Sequence, residues 1–172
     1  MLSQLHCNLV RHAPKWLRGP LGMTPFGLKK QVLTHLISWQ LNEALAEGEL
    51  DFLSEKWLRI EVRDLGLAWA MTLKNQKIVV VPADSVVADV LFSGEANDLI
   101  LIAARQQDPD TLFFQRRLWV EGDTELGLYV KNLMDAVDLD AMPTALRVGM
   151  QKLAQFVAAG QAAPATASVT AS

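Results

Sequence analysis

Asp108-Pro109-Asp110-Thr111-Leu112-Phe113-Phe114-Gln115-Arg116-Arg117-Leu118-Trp119-Val120-Glu121-Gly122-Asp123-Thr124-Glu125-Leu126-Gly127-Leu128 concentrates the unusual local chemistry of this chain. The Asp-Pro-Asp opening breaks the segment before it, because proline supplies no amide donor and disfavours helix in the residue it follows. Leu112, Phe113 and Phe114 come next. They are too few for a strand with its own register and too apolar for a solvated loop, so they read as a plug in a core or a cavity mouth. From Arg117 to Glu121 the pattern alternates. Leu118 and Val120 share one side of a strand, and Arg117, Trp119 and Glu121 the other. Gly122-Asp123 ends that strand. Asp123 is a good N-cap, and Leu126, Tyr129, Val130, Leu133, Met134 and Val137 make an apolar stripe at helical spacing.

Working towards the N-terminus, Ser93-Gly94-Glu95 opens a helix that runs through Arg105. Leu99 to Ala104 is apolar nearly all round, which requires burial on most sides. Four short strands precede it: Leu58 to Val62, Leu67 to Leu73, Ile78 to Val81, and Ala88 to Phe92. Lys74-Asn75-Gln76-Lys77 joins the second and third as a hairpin, and Pro82 stops the third. Thr24-Pro25 reads as the cap and first residue of a helix to about Glu47 that ends at Gly48. Its core face is assigned to Phe26, Leu33, Leu36, Ile37, Leu41, Ala44 and Leu45. Residues 2–12 suit a short helix ended near Pro14, followed by a greasy linker containing Trp16, Leu17, Leu21 and Met23. Beyond the opening stretch, Met142-Pro143-Thr144 starts a last amphipathic helix with Leu146, Met150, Leu153 and Val157 on one side. From Gly160 the chain is small-residue rich and reads as a disordered tail.

With 172 residues and 51% hydrophobic content, the chain can bury a real core. The expected fold class is α+β: a mostly antiparallel five-stranded sheet covered by helices, with an N-terminal helical extension. Expected boundaries are 1–44 for a basic extension, 45–140 for the central domain, 141–159 for the last helix and 160–172 for the tail. One cysteine, Cys7, excludes an internal disulfide framework and agrees with the cytoplasm. No secretion signal or spanning segment is read.

The net charge of −3 hides an asymmetry. Residues 1–42 hold Arg11, Lys15, Arg18, Lys29 and Lys30 and no acid, so the rest of the chain is strongly acidic. Lys15, Trp16, Leu17, Arg18, Lys29 and Lys30 are therefore candidates for peripheral docking on an anionic membrane. The same segment reads equally well as an arm packed on its own domain. Nucleic acid is not expected, since so few cations on an acidic protein make a weak footprint.

No local motif of a hydrolase, a dehydrogenase or a metalloenzyme is present, and the only histidines are His6, His12 and His35. The expectation is a non-enzyme with no catalytic residue, no metal and no cofactor. The surplus of apolar helix faces points instead to a lipid cavity. Its candidate lining is Leu99, Ile102, Phe113, Phe114, Leu126, Tyr129, Val130, Leu133, Met134, Leu146 and Met150. A fully packed core without a cavity remains the competing reading.

The order of strands, apolar helix, plug, strand and Gly-Asp-led helix over about residues 45 to 140 resembles the sterol carrier protein type-2 lipid-binding domain. Met23-Thr24-Pro25-Phe26, Ala103-Ala104-Arg105-Gln106-Gln107-Asp108 continuing to Leu118, and Glu121 to Asp135 are similar to bacterial accessory factors of ubiquinone biosynthesis that carry this domain. The resemblance implies the sterol carrier fold and a non-catalytic lipid-binding protein in oxygen-independent ubiquinone biosynthesis. It implies work beside UbiU, UbiV and other proteins of that pathway, with a polyprenylated intermediate or a phospholipid as the bound lipid. A structural adaptor that holds biosynthetic enzymes together without a pocket is the alternative.

Overall fold

The computed structural model describes residues 2–136 and 144–162. Val137, Met142-Pro143 and the tail from residue 163 lie outside the described residues, as do the side chains of Met134, Leu146 and Met150. All five expected strands form: β1 (Leu58–Val62), β2 (Leu67–Lys74), β3 (Lys77–Pro82), β4 (Val90–Gly94) and β5 (Leu118–Gly122). They make one sheet in the order β3-β2-β1-β4-β5, in which only the β1–β4 pair is parallel. The β2–β3 hairpin turns at Asn75 and Gln76, both at positive φ, 50° and 60°. That mirror-image turn matches the twist of the flanking strands.

Pairing register decides which side chains meet, because opposed residues project from the same face of a sheet. Ile78 and Val80, Met71 and Leu73, Leu58, Val90 and Phe92, and Leu118 share the inner face and are buried in one apolar core. The opposite face carries Arg59, paired with Asp84 at 3.0 Å, and Trp119, whose ring lies 3.6 Å from the Arg63 guanidinium carbon. Alternation in β1 and β5 thus sets their apolar residues on the core face and their charged and indole side chains on the other, where Ala70, Thr72 and Ser93 of the neighbouring strands are nonetheless buried.

Helices α2 (Phe26–Gln40), α3 (Asn42–Ala46), α4 (Ala96–Ala103), α5 (Pro109–Phe114) and α6 (Thr124–Ala136) accompany the sheet. Phe26, Leu33 and Ile37 of α2 pack on the sheet core. Leu36, expected with them, is 46% exposed. The expected single helix to Glu47 breaks at Leu41 (φ −101°, ψ 15°) and resumes as α3. Gly48 ends α3 at φ 75°, with Glu49 N donating to Ala44 O at 2.9 Å, the backbone closure glycine permits. Thr24 does not cap α2. Its hydroxyl donates to Pro20 O at 3.0 Å, and Phe26 is the first helical residue.

The N-terminal segment departs most from expectation. Helix α1 (Leu2–Met23) passes through Pro14 and Pro20, so residues 13–23 are helix rather than a linker. Tertiary packing offsets the roughly 3 kcal/mol that an interior proline costs. Val10 of α1 meets Leu101 of α4, Ala104 at its C-terminal cap, and Ala154 and Val157 of α7 (Thr144–Ala162) in a second apolar core. A Cβ on Gly160 would stand 2.5 Å from a Val10 methyl, so only glycine lets α1 and α7 approach so closely here. Residues 160–162 accordingly continue α7. Helix α4 reaches both cores, Ile102 into the first and Leu101 into the second, which explains why it is apolar nearly all round.

Candidate functional site

A cleft of about 280 Å³ opens where α5, β5 and α6 converge. Its construction follows from local sequence. Asp108 caps α5 by accepting from Asp110 N and Thr111 N at 3.3 Å each, and Pro109 occupies the first helical position. The plug is therefore a turn of helix, and successive residues rotate by about 100°. Leu112 is fully buried, Phe113 lines the cleft at 44% exposure, and Phe114 points outward at 81% exposure. Arg116, at φ 57°, turns the chain back into β5.

On the other side, position 122 requires glycine, since its backbone takes φ 107° and a Cβ there would lie 2.3 Å from Asp89 O. Asp123 then starts α6, its Oδ1 accepting from Glu125 N and Leu126 N at 3.0 Å, as its sequence position predicts. Gly127 lets α6 settle on the sheet, since its missing Cβ would be 2.9 Å from a Val120 methyl. Phe92, Leu118 and Val120 floor the cleft, with Asp110, Glu121, Asp123 and Lys131 among its polar groups. Lys131 Nζ lies 2.6 Å from Asp110 Oδ2, tying α6 to α5.

The inner-face row that begins at this floor continues across the sheet beneath the packed core. Val120 pairs with Phe92, Phe92 with Ile60, and Ile60 with Trp69, giving a single inner-face row from β5 to β2. At the usual strand spacing this row spans about 14 Å. At its far end Trp69 Nε1 is buried with no hydrogen-bond partner. A second depression, about 560 Å³ and more open, lies between Gly48, Phe52, Lys56, Leu126 and Tyr129. There the Phe52 and Tyr129 rings stack at 5.3 Å.

The expected lining residues do not gather around one space. Phe113 borders the cleft and Leu126 and Tyr129 border the second depression. Ile102, Leu126 and Val130 are buried in the core, Leu99 and Leu133 are partly buried against it, and Phe114 meets Phe113 edge-on at 5.8 Å. The side chains of Met134, Leu146 and Met150 lie outside the described residues. Helix periodicity did not identify Phe92, Val120, Leu128 or Lys131. Leu128 and Lys131 fall off the α6 stripe, and Phe92 and Val120 join only through strand register. Of the membrane-docking candidates, Lys15, Trp16, Leu17 and Arg18 are exposed on α1, Lys30 is exposed on α2, and Lys29 is half-buried.

Arg117 is held by Asp98. Its guanidinium contacts both carboxylate oxygens and also Gln161 at 3.1 Å, joining β5, α4 and α7. Asp98 is only 4% exposed, so this cation balances a buried charge. Asp89 is held below the usual carboxylate range, first by the hydrogen bond it accepts from Trp57 N at 2.8 Å and further by Lys56. Among the described residues there is no group of three or more side chains placed to hold a metal, and no helix is long and apolar enough to cross a membrane.

Residues 34–135 match the SCP-2 sterol transfer family. The chain is 55% identical over 167 residues to the ubiquinone biosynthesis accessory factor UbiT of Escherichia coli K12, covering 96% of this chain and 95% of that protein. The same identity and coverage hold for UbiT of Escherichia coli O157:H7. Among solved structures, the UbiJ-SCP2 ubiquinone synthesis protein is similar with a TM-score of 0.55 at 23% identity, over 66% of this chain and 100% of that one. Sterol carrier protein domain 2 of Helicoverpa armigera follows at 0.50 and 18%, over 63% and 84%. The structural likenesses establish the sheet-and-helix fold, and the match over more than half of the chain together with the high identity shows that the protein belongs to the SCP-2 sterol transfer family, alongside the UbiT proteins.

Proposed function

We propose that this protein is a non-catalytic accessory factor of ubiquinone biosynthesis that holds a lipid by its apolar tail on the inner face of the sheet. The single observation that carries the reading is the row Val120-Phe92-Ile60-Trp69, which by strand register joins the residues flooring an open cleft to a buried indole donor without an acceptor. An unsatisfied buried donor costs about 1–3 kcal/mol, and an oxygen on the lipid would remove that cost. Tail burial contributes about 0.8 kcal/mol per methylene, so ten would supply about 8 kcal/mol before ordering losses. The ligand class is a polyprenylated intermediate or a phospholipid. The cleft as it stands, about 280 Å³, falls just below ligand-site volumes, which run from about 300 to 1,000 Å³, so α5 and α6 must part to admit a long tail. Identity with UbiT supports work in the ubiquinone pathway. Action beside UbiU and UbiV in its oxygen-independent form belongs to the same reading.

A second reading, an adaptor that holds pathway enzymes together, is favoured by the dense core and by the exposure of Phe114 beside the cleft. Mild purification followed by lipid extraction and mass spectrometry separates the two. The lipid-binding reading expects a quinone precursor or phospholipid in near-stoichiometric amount. Protein that is reproducibly lipid-free and binds no detergent-solubilised precursor, yet forms a stable complex with pathway proteins, would establish the adaptor instead.

A further inference from the structure

Two exposed apolar patches on this chain are opposite in charge and too far apart to meet. The first is on α2. Phe26, Leu33 and Ile37 of that helix face the sheet core. Leu28, Val32 and Leu36, at i, i+4 and i+8, form a second stripe turned roughly 120° away. These three are 56%, 51% and 46% exposed, and the helix that carries them holds Lys29 and Lys30 and no acid. The second patch surrounds the mouth of the cleft, where Phe113, Phe114, Leu128 and Tyr129 are 44%, 81%, 56% and 47% exposed. Glu121, Asp123 and Glu125 are exposed around it. Residues 108–129 hold five acids against Arg116 and Arg117, and Arg117 is already bound to Asp98. Helices ordinarily turn polar residues to solvent, and contiguous exposed apolar groups mark a surface that something else covers.

Position and charge identify the occupant. Helix α2 lies against β3 and the cleft against β5, the two edges of the sheet. Four strand-to-strand steps of about 4.8 Å hold those edges about 19 Å apart, so α2 cannot cover the mouth of its own chain. A second copy has no such limit. Its Lys29 and Lys30 complement Glu121 and Glu125 of the first, and its Leu28, Val32 and Leu36 cover Phe114 and Leu128. We propose that two copies of this chain pair about a two-fold axis, each laying its α2 stripe on the other's cleft mouth. The two-fold makes the contact twice and leaves neither patch open, whereas the same contact without closure would run on into a filament. Repetition also supplies area, since specific interfaces bury about 1,200–2,000 Å² in total and one helix stripe alone falls short. The pairing sets α2 of each copy over the other's entrance, and it stands whether or not a lipid occupies the cleft.

The test uses the full chain in buffer without lipid or detergent. Sedimentation velocity should show a monomer–dimer equilibrium with a dissociation constant roughly in the micromolar range, weakened by salt. Combined Lys29→Glu and Lys30→Glu makes both patches acidic, and combined Glu121→Lys and Glu125→Lys makes both basic. Each variant alone should dimerise at least about tenfold more weakly, with circular dichroism and thermal midpoint retained. Mixed together, the two variants set opposite charges at both contacts, and association should return to within about threefold of the unaltered protein. As a check that needs no charge reversal, Val32→Cys and Phe114→Cys proteins, each in a Cys7→Ser background, are mixed and treated with a short bismaleimide. The expected product joins position 32 of one copy to position 114 of the other. A monomer at every concentration, folded charge variants that dimerise as the unaltered protein does, or a mixture that stays monomeric would each overturn the proposal. So would a product joining position 32 only to position 32, or an α2 stripe that is buried only when phospholipid vesicles are added.

Discussion

Lys131 Nζ stands 2.6 Å from Asp110 Oδ2 and bridges α6 to α5 beside the cleft floored by Phe92 and Val120. Both side chains are partly exposed, at 29% and 45%, so the pair adds little stability, about 0–1 kcal/mol. Its position matters more than its strength, since parting these helices is what a long tail requires. Asp110→Asn should leave the thermal midpoint within a few degrees of the original and accelerate both uptake and release of a fluorescent polyprenyl probe in stopped-flow measurements. Unchanged rates would remove the pair from the access route.

Trp69→Phe isolates the orphan indole donor. An aromatic ring survives, but the pyrrole half of the indole and its Nε1–H disappear, so relief of the unsatisfied donor, about 1–3 kcal/mol, is set against the cavity left by the smaller ring and the ligand-free protein should stay within about 1–2 kcal/mol of the original. Affinity for an oxygen-bearing lipid should fall by roughly three- to tenfold, the worth of one neutral hydrogen bond. Denaturant unfolding and equilibrium binding check the two halves separately. Lower stability with unaltered affinity would mean that the indole serves packing alone.

Arg117→Met should be far more damaging than its location at the start of an edge strand suggests. It leaves the Asp98 carboxylate buried without its cation, a loss of about 3–5 kcal/mol, and removes the Gln161 contact that ties α7 to the sheet. Hydrogen exchange should show α7 and its α1 partner losing protection first. Pairing the change with Asp98→Leu should recover much of the loss, because the unpaired charge is then gone.

Asp89 links stability to pH. Its carboxyl titrates below the ordinary value of 3.8 because Trp57 N and Lys56 favour the ionised form. A depressed folded-state value stabilises the protein above the unfolded value, and that contribution disappears as pH falls through the folded one. Asp89→Asn should therefore lower stability by about 1 kcal/mol near neutral pH. The gap to the unaltered protein should stay constant down to about pH 5 and close progressively below pH 4. A gap that persists at the acid end would point to packing rather than charge.

The contrast between what was legible in the sequence and what was not has a physical pattern. Strands β1 and β5 alternate cleanly, and the Asp123 start of α6 depends only on neighbouring residues, so local rules suffice for both. Helix α1 was misread because Pro14 and Pro20 argue locally for termination, whereas Val10 against Gly160 is a contact between opposite ends of the chain. The row through Val120, Phe92, Ile60 and Trp69 could not be read at all, since it exists only once β1 pairs in parallel with β4. Leu36 falls at core spacing on α2 yet is 46% exposed, because spacing alone does not say which apolar side of a helix meets the core.

The central claim is that a lipid tail lies along that cross-sheet row. The most direct measurement places a diazirine on the tail of a polyprenyl hydroxybenzoate, irradiates the complex and maps the labelled peptides. The account predicts labelling at Val120, Phe92, Ile60 and Trp69, suppressed by unlabelled lipid. Labelling confined to Leu28, Val32 or Phe114 on the outer surface, or none that unlabelled lipid suppresses, would contradict it.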